Sequence, residues 1–317
     1  MSNKIRTILI GTPEFAERIF RKLMEVGLPS IEIIAVITAP DKPVGRKQVL
    51  TPSPVKKWAL EANLSVLEPD KIRKPEWIAK IKKLNPDLII LAAFGQIIPQ
   101  EILDIPKYKA LNIHPSLLPK YRGASPIQST ILNGDTETGV SLMIMEPELD
   151  HGPIIAKLKI KSQKLKITYT ELSKELADLG AELLIKTLPK WIDGKITPQE
   201  QDHSQATFCN IIKKEDGRIN WNKSAESIER QIRAFQKWPE NYTDFNGKIL
   251  KITEANFANK KTEKKPGETF LDENKNLSVQ TGNGILILNT IQLEGKKPMP
   301  VKDFLNGHPE IIGSILK

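Results

Sequence analysis

The chain has 317 residues, of which 39% are hydrophobic and 27% are charged. This length predicts about two domains, and this composition is typical of a folded globular protein. No apolar run reaches the ~18–20 residues needed to cross a bilayer, and no signal peptide is recognisable, so we expect a cytoplasmic protein without a membrane partner. The single cysteine, Cys209, excludes an internal disulfide framework and a cysteine-rich zinc site.

The charge balance is basic. Lysine and arginine total 47 against 38 aspartate and glutamate, which gives a formal net charge of +9. A basic excess is typical of proteins that bind nucleic acid or another polyanion, but it also occurs on surfaces that only keep a protein soluble. Charge alone therefore leaves both interpretations open.

Strand and helix patterns alternate through the first half of the chain. The predicted strands are Ile5–Ile10, Ile31–Ile37, Asp87–Phe94, Leu111–Ile113 and Val140–Met145. Between the first two, a helix is predicted to begin near Pro13 and to end at Gly27. Its apolar face would comprise Phe15, Ile19, Leu23 and Met24. This alternation predicts βαβ units and an α/β fold with a parallel-rich sheet.

The stretch from Thr38 to Pro54 breaks this alternation. It holds four prolines together with Lys42, Arg46 and Lys47, and it predicts a long, basic, exposed loop. Long loops inside compact domains are uncommon and are often functional, although a variable surface insertion fits the pattern equally well.

The second half of the chain has a different sequence pattern. A helix is predicted from Thr168, where Thr168 and Glu171 have capping-box spacing, and the polar segment 193–207 is predicted to be a linker. Beyond it, one helix and several short strands separated by turn signals predict a small β-rich domain of barrel type. The helix is Ile228–Phe235, and the strands are Ile249–Thr253, Leu277–Gln280 and Gly284–Thr290. We therefore predict domains at 1–192 and 208–317.

Several common sites are poorly supported. Gly11 follows a strand but lacks the further glycines of a dinucleotide fingerprint. The four histidines are not paired at the helical spacing of metal ligands, so we expect no metal site. Gly123-Ala124-Ser125 is followed by proline and isoleucine and is not a nucleophile elbow.

A polar cluster remains at the ends of predicted strands, where open α/β sheets bind ligands. Asn112 and His114 are two residues apart on an extended segment, so their side chains point to the same side. Asp150 follows another predicted strand, and an amide, an imidazole and a carboxylate would then converge. Taken singly, each residue has an ordinary structural interpretation, since isolated histidines in loops are more often structural than catalytic.

The order of these residues resembles that of the folate-dependent formyltransferase superfamily. The segments that carry the resemblance are Asn112-x-His114-Pro115-Ser116-Leu117-Leu118-Pro119, Tyr121-Arg122-Gly123 and Leu149-Asp150-x-Gly152. Within the superfamily, the whole chain is similar to the members that formylate methionyl-tRNA. Supporting segments are Ile10–Phe15, Pro40–Arg46, Ala93–Pro99, Trp238-Pro239 and Tyr242–Lys248. Two positions depart from the usual pattern: His151 replaces a small hydroxyl residue, and Phe94 replaces a common tyrosine.

This resemblance implies a Rossmann-like catalytic domain and a C-terminal barrel related to the OB-fold. It implies 10-formyltetrahydrofolate as the formyl donor and initiator methionyl-tRNA as the acceptor, with no metal and no DNA partner. Asn112, His114 and Asp150 would be catalytic. The folate site would comprise Ser116, Leu117, Leu118 and Pro119 together with Phe94, Gly95, Gln96, Ile97 and Ile98. Lys42, Arg46, Lys47 and Lys248 would contact the tRNA.

The reaction such a site performs needs no covalent intermediate. A neutral amine attacks the formyl carbon and gives a tetrahedral oxyanion, which requires hydrogen-bond donors where the charge develops. Asn112 and His114 would supply them, and Asp150 would orient His114 and relay the proton that the amine loses.

Three other functions remain open on the sequence. A formyltransferase for a small amine would use the same three residues but would not need a basic β-rich C-terminal domain. A hydrolase would release formate from the donor without tRNA. A non-catalytic RNA-binding protein would not need the intact Asn112, His114 and Asp150.

Overall fold

The computed structural model describes residues 4–45, 48–161 and 166–317. The chain divides into two compact units. The N-terminal unit comprises Met1–Pro126, Glu137–Lys161 and Ser173–Asn210, and the C-terminal unit comprises Ile127–Thr136, Ser162–Leu172 and Ile211–Lys317. Among the described residues, no helix combines the length and the apolar character that a membrane crossing requires.

The N-terminal unit is built on a seven-stranded sheet in the order β10-β9-β7-β6-β1-β2-β5. The strands of this unit are β1 (Ile5–Gly11), β2 (Ile31–Ile37), β3 (Lys42–Val44), β4 (Val49–Thr51), β5 (Val66–Leu67), β6 (Leu88–Ala92), β7 (Ala110–His114), β8 (Arg122–Gly123), β9 (Glu137–Ile144), β10 (Ile154–Lys161) and β11 (Phe208–Cys209). Strands β5, β2, β1, β6 and β7 pair in parallel, whereas β9 pairs antiparallel with both β7 and β10. The predicted α/β fold with a parallel-rich sheet is confirmed.

Helices follow most strands of this unit. The helices of the chain up to residue 192 are α1 (Glu14–Val26), α2 (Pro54–Glu61), α3 (Pro75–Leu84), α4 (Gln100–Leu103), α5 (Pro126–Asn133) and α6 (Tyr169–Ile192). Thr168 and Glu171 form the predicted capping box at the start of α6, because each backbone N–H donates to the other residue's side chain. Helix α6 packs closely on the sheet, since a methyl group at Gly180 would lie 2.9 Å from Ile113 on β7.

Helix α1 differs from its prediction in one residue. Gly27 ends it in the left-handed conformation, as expected. Met24, however, is 42% exposed, and Phe20 lies fully buried in the core instead. The helix therefore turns a slightly different face to the sheet than the sequence pattern indicated.

The basic stretch predicted as an irregular loop contains a short hairpin. Strands β3 and β4 pair antiparallel with Lys42 opposite Thr51. Gly45 turns the chain with a left-handed backbone, and the strand residues Val49 and Leu50 are strongly exposed. Arg46 and Lys47 lie outside the described residues.

The C-terminal unit contains an antiparallel sheet in the order β12-β13-β16-β15-β14, with β17 paired to β16. From residue 211 onward, its α-helices and strands are α7 (Ala225–Ala234), β12 (Tyr242–Phe245), β13 (Lys248–Ala258), β14 (Thr269–Leu271), β15 (Leu277–Gln280), β16 (Ile285–Leu293), β17 (Met299–Pro300) and α8 (Val301–Gly307). Asn246 and Gly247 both adopt positive φ, so they form the tight hairpin turn that this dipeptide favours. The predicted OB-like β domain is confirmed in its general architecture, a curled antiparallel sheet around its own apolar core.

The turn from β1 into α1 is packed without free space. A methyl group at Gly11 would lie 2.6 Å from the Ala16 Cβ and 2.7 Å from the Ala92 carbonyl oxygen. We predict that Gly11→Ala lowers the free energy of unfolding by about 1–3 kcal/mol, because a well-packed core cannot absorb the extra carbon. Urea-induced unfolding followed by circular dichroism measures this change.

Gly307→Ala is the matched control, because a methyl group there would meet no atom within 4 Å. The control is expected to be neutral or to stabilise by about 0.5–1 kcal/mol, as alanine is the better helix former. Equal stabilities of the two variants would contradict the close packing at Gly11.

Candidate active site

The structure brings together the three residues predicted to be catalytic. Asn112 and His114 lie on β7, and their side chains are almost fully buried. The Asn112 Nδ2 atom donates a hydrogen bond of 3.3 Å to Asp150 Oδ1, and the His114 Nδ1 atom lies 3.6 Å from the same oxygen. An amide, an imidazole and a carboxylate therefore share one site in the N-terminal unit.

The topology that places Asp150 differs from the one expected. Strand β9 runs antiparallel to β7, with Leu111 opposite Ile144, so the carboxyl end of β9 lies beside the amino end of β7. The β9–β10 connection, residues 145–153, carries Asp150 back to the level of Asn112. A long connection, rather than the common edge of parallel strands, supplies the carboxylate.

The Asp150 backbone has a positive φ of 50°, which is uncommon for a residue with a side chain. Its carboxylate also accepts a hydrogen bond of 2.8 Å from the Gly123 backbone N–H to Oδ2. Gly123 cannot carry a side chain, because a methyl group would lie 2.2 Å from the Cys209 carbonyl oxygen. One carboxylate oxygen thus faces Asn112 and His114, and the other is bound by the backbone.

His114 is oriented by a backbone carbonyl. Its Nε2 atom lies 2.9 Å from the Tyr121 carbonyl oxygen. Because a carbonyl can only accept, Nε2 carries a proton, and Nδ1 is the ring nitrogen that faces Asp150.

The segment Ser116–Pro119 is held by β9 and β10. The buried Ser141 hydroxyl donates to the Ser116 carbonyl at 2.7 Å and accepts from the Leu118 N–H at 3.0 Å. The Lys157 ammonium donates to the Leu118 carbonyl oxygen, and partial burial lowers the pKa of Lys157. The Leu118 side chain packs in a small apolar cluster with Met143 and Ile154. The backbone of this segment is therefore fixed on two sides.

The segment Phe94–Ile98 turns outward after β6. Positive φ angles at Ala93 and Gly95 end the strand earlier than the sequence indicated. The Phe94 and Ile98 side chains pack into the core of the N-terminal unit, whereas Ile97 is 75% exposed. The Gln96 side chain is already engaged, since it accepts from the Ile72 N–H and donates to the Pro69 carbonyl. Backbone groups and the Ile97 side chain are thus the parts of this segment left to contact a ligand.

The predicted linker is partly integrated into the N-terminal unit. Gln199 forms a β-bridge with Ile154, and the Thr207 carbonyl accepts from the Arg122 N–H at 2.8 Å. Within this segment Gln201 is only 5% exposed, and it contacts both Arg122 and the Asp150 loop. Sequence reasoning missed Gln201, because a glutamine in a polar segment gives no periodic signal.

His151, one of the two residues that depart from the usual pattern, has acidic neighbours. Its Nδ1 lies 3.0 Å from Glu146 Oε2, and its Nε2 lies 3.4 Å from Glu148 Oε2. Its ring stacks on that of His203, with centroids 4.0 Å apart. Within the described ranges, no group of three or more metal-ligating side chains could hold a metal ion.

The first β–α turn, where many Rossmann-like domains bind a nucleotide, is unsuited to phosphate. The space above Gly11 is filled, and the first turn of α1 carries the acidic residues Glu14 and Glu17. A helix N-terminus attracts anions. Here the carboxylates of Glu14 and Glu17 already lie at this position, so it is unfavourable for a phosphate group.

The basic residues predicted to contact tRNA lie apart from this cluster in the sequence. Lys42 lies exposed on β3 in the N-terminal unit, and Lys248 lies exposed at the start of β13 in the C-terminal unit.

Comparison with known sequences decides the family. The formyl transferase profile matches residues 3–188, and the profile described as formyl transferase, C-terminal domain, matches residues 211–309. The chain belongs to the formyl transferase family. The methionyl-tRNA formyltransferase of Geobacter sulfurreducens is 42% identical over 303 residues, covering 96% of this chain and 94% of that protein. The methionyl-tRNA formyltransferase of Caldicellulosiruptor saccharolyticus is 43% identical and covers 98% and 99%, respectively.

Solved structures show the same fold. HypX from Aquifex aeolicus, in complex with tetrahydrofolic acid, aligns with a TM-score of 0.66 at 18% identity over 98% of this chain, which spans about half the length of that protein (48%). An N-formyltransferase from Helicobacter canadensis, in complex with folinic acid and dTDP-3-aminofucose, aligns with a TM-score of 0.64 at 21% identity, covering 90% of this chain and 99% of that one. At these identities the likeness concerns the fold alone. The family resemblance seen in the sequence is confirmed by the sequence matches.

The hydrogen bond between His114 and the Tyr121 carbonyl predicts the tautomer of the His114 ring, which can be observed by spectroscopy. We expect neutral His114 to be the Nε2–H tautomer, whereas neutral His308 should be the Nδ1–H tautomer, because His308 Nδ1 lies 3.0 Å from Glu310 Oε1. Long-range ¹H–¹⁵N spectra of the imidazole rings distinguish the two forms. A protonated Nδ1 on neutral His114 would contradict the orientation described here.

Proposed function

We propose that the protein transfers the formyl group of 10-formyltetrahydrofolate to the amino group of methionine on initiator tRNA, giving N-formylmethionyl-tRNA for translation initiation in the cytoplasm. The observation that carries this proposal is the convergence of Asn112, His114 and Asp150 in one site. Relatives 42% and 43% identical over almost the whole chain are methionyl-tRNA formyltransferases. The protein is an enzyme of the formyltransferase type.

Asn112 is proposed to stabilise the developing charge. Attack of the amine converts the planar formyl group into a tetrahedral centre with a negatively charged oxygen. Its collapse breaks the bond between the formyl carbon and N10, and N10 takes up a proton as tetrahydrofolate leaves. The Asn112 amide has two N–H groups, and one of them is engaged by Asp150 at 3.3 Å. The other is available to the oxyanion, and a fixed donor of this kind is worth about 3–4 kcal/mol.

His114 and Asp150 are proposed to handle the proton. Since His114 Nε2 is bound to the Tyr121 carbonyl, Nδ1 is the nitrogen that can meet a reacting group. Asp150 Oδ1 lies beside both Asn112 and His114, so it can take the proton that the attacking amine loses, directly or through water. The Gly123 N–H keeps the other oxygen in place.

The formyl donor is proposed to bind between Ser116–Pro119 and Phe94–Ile98. The first segment has a backbone fixed by Ser141 and Lys157, and the second offers unhindered backbone at Gly95, where a methyl group would meet no atom within 4 Å. The exposed Ile97 side chain fits the flat apolar face of a pterin. Neighbours of this fold described with bound tetrahydrofolic acid or folinic acid support a folate donor.

The tRNA is proposed to contact Lys42, Arg46 and Lys47 of the basic stretch from Thr38 to Pro54, and Lys248 of the C-terminal domain. We place the catalytic domain at 1–192 and the tRNA-binding domain at 208–317, with a connecting segment at 193–207 that packs on the catalytic domain through Gln199 and Gln201. The match of the C-terminal formyl transferase profile to residues 211–309 supports a second domain that a small-amine formyltransferase would not require.

The first test is a transfer assay with labelled 10-formyltetrahydrofolate and three conditions: initiator Met-tRNA, elongator Met-tRNA and no acceptor. We expect label on the initiator tRNA alone. Asn112→Ala should lower kcat by roughly 100- to 1,000-fold, because an oxyanion donor is lost. Asp150→Asn keeps the shape of the site but removes the proton acceptor, and we expect it to be inactive within the limits of the assay.

Asp193→Asn serves as the matched control, because Asp193 is an exposed carboxylate paired with Lys195 and should retain full activity. Label on a small amine but on neither tRNA would show that the acceptor is a small amine and not methionyl-tRNA. Formate released at the same rate without acceptor would instead identify a hydrolase.

A second prediction concerns tRNA contact by the C-terminal domain. Lys251 pairs with Glu240, whereas within the described part of the chain no carboxylate lies within ion-pair distance of Lys248. We expect Lys248→Ala to raise KM for tRNA and to reduce the salt dependence of binding by about one phosphate contact, with KM for folate unchanged. Lys251→Ala should have a smaller effect on both quantities. Equal effects of the two substitutions would argue against a specific contact by Lys248.

A further inference from the structure

We infer that Gln201 is a positioning residue for Asp150, oriented by the Arg122 guanidinium. The inference rests on the proposed function in one respect, namely that Asp150 takes part in the reaction. The observations that carry it are the hydrogen bonds of Gln201 and the burial of both side chains.

The Gln201 amide binds the backbone on both sides of His151. Its Nε2 donates to the Asp150 carbonyl at 2.9 Å and to the Gly152 carbonyl at 2.8 Å. A primary amide has two N–H donors, and here both are used on one turn of the chain. Asp150 has a positive φ, a conformation that persists only where the surroundings fix it. The two bonds from Gln201 supply such a fixation.

Arg122 decides which way the amide points. Gln201 Oε1 accepts from Arg122 Nε at 3.1 Å and from Nη2 at 2.7 Å. A guanidinium only donates, so the amide oxygen must face it and the amide nitrogen must face the two carbonyls. Arg122 is 3% exposed and Gln201 is 5% exposed, so water does not compete for these bonds.

His203 supports the guanidinium from the other side. Arg122 Nη2 lies 2.8 Å from His203 Nδ1, which must therefore be the unprotonated nitrogen of the ring. The His203 ring is stacked on that of His151, nearly parallel at 8°. Because both His151 nitrogens face glutamates, its ring is held on the Asp150 loop by the carboxylates of Glu146 and Glu148.

The two adjacent residues Arg122 and Gly123 fix both the backbone and the carboxylate of Asp150. The Arg122 side chain acts on the Asp150 backbone through Gln201, and the next peptide group, Gly123 N–H, donates to the Asp150 carboxylate at 2.8 Å. Strand β11 pairs with β8 and keeps Arg122 and Gly123 in register with Phe208 and Cys209. Displacing the Asp150 backbone would therefore also weaken the bond from Gly123.

The alternative is that Gln201 only provides an acceptor for a buried cation. Gln201→Glu separates these roles. Glutamate still accepts from Arg122, with a favourable charge, but its carboxylate cannot donate to the Asp150 and Gly152 carbonyls. Gln201→Ala removes both interactions. Gln199→Glu is the matched control, since it makes the same change on an exposed side chain two residues away.

The experiment measures kcat and KM for both substrates, the melting temperature, and the exchange rate of the Gly123 amide in ¹⁵N-glycine-labelled protein. We expect Gln201→Glu and Gln201→Ala to lower kcat by about 10- to 100-fold, with both KM values within about threefold of wild type, since displacement of a reacting group has this effect. Gly123 amide exchange should accelerate in both variants. Gln199→Glu should match the wild type in each measurement.

A Gln201→Glu variant with wild-type kcat and wild-type Gly123 exchange would overturn the inference and leave Gln201 as a partner for the buried charge. Unfolding of Gln201→Ala would not prevent the test, because Gln201→Glu keeps the contact with Arg122. If the wild type fails to formylate tRNA, the proposed function fails, but the Gly123 exchange still reports whether Gln201 holds Asp150.

Discussion

The turn at Asp150 is the constraint on which the arrangement of the site depends. The residue must adopt a left-handed backbone while its carboxylate meets Asn112, His114 and Gly123. Such a conformation is unfavourable by itself, so the hydrogen bonds around it have to offset its cost. The buried strand β7 and the turn at Gly123 each supply one of these bonds, and Gln201 supplies two. The rigid sheet therefore serves to hold a turn that the local sequence alone would not form.

A site built in this way takes its groups from two kinds of element, a buried strand and a connection between strands. Asn112 and His114 lie on β7, a buried strand that is hydrogen-bonded to a neighbouring strand on each side. Asp150, in contrast, lies on a connection that reaches back across the sheet. Groups that stabilise charge benefit from a position that does not change, whereas a group that moves a proton needs its carboxylate placed precisely against a substrate. The strand and the connection therefore both hold their groups in fixed positions.

Much of the fold could be predicted from the sequence because it depends on local patterns. Apolar runs indicated the strands, Gly27 indicated the end of α1, and the Thr168–Glu171 spacing indicated the start of α6. The errors arose where distant contacts decide the structure. The hairpin β3–β4 depends on pairing across a turn, and Met24 is exposed because the sheet lies on a slightly different side of α1.

In the candidate site too, local sequence patterns could be interpreted, whereas features that depend on distant contacts could not. Asn112 and His114 could be assigned to one face from their spacing, and the motif order indicated Asp150. The route by which Asp150 reaches them could not be predicted, because it follows from the antiparallel direction of β9. Gln201 was missed since its role arises from bonds to residues about 50 and 80 positions away, at Asp150 and Arg122. Burial of a polar side chain is visible only after the chain is folded.

The pairing of β11 with β8 limits where the chain can be truncated and which residues a gene fusion must include. Residues 199–209 lie beyond the last long helix of the N-terminal unit, yet they provide partners for Arg122, Gly123 and Ile154. A chain cut after α6 would keep every strand of the large sheet but would remove Gln201, which accepts from the Arg122 guanidinium, and a hydrogen bond to a charged group contributes about 1.5–3 kcal/mol. A gene fusion that transplants this catalytic module would therefore have to carry the stretch up to about residue 210, even though that stretch contributes no strand to the large sheet.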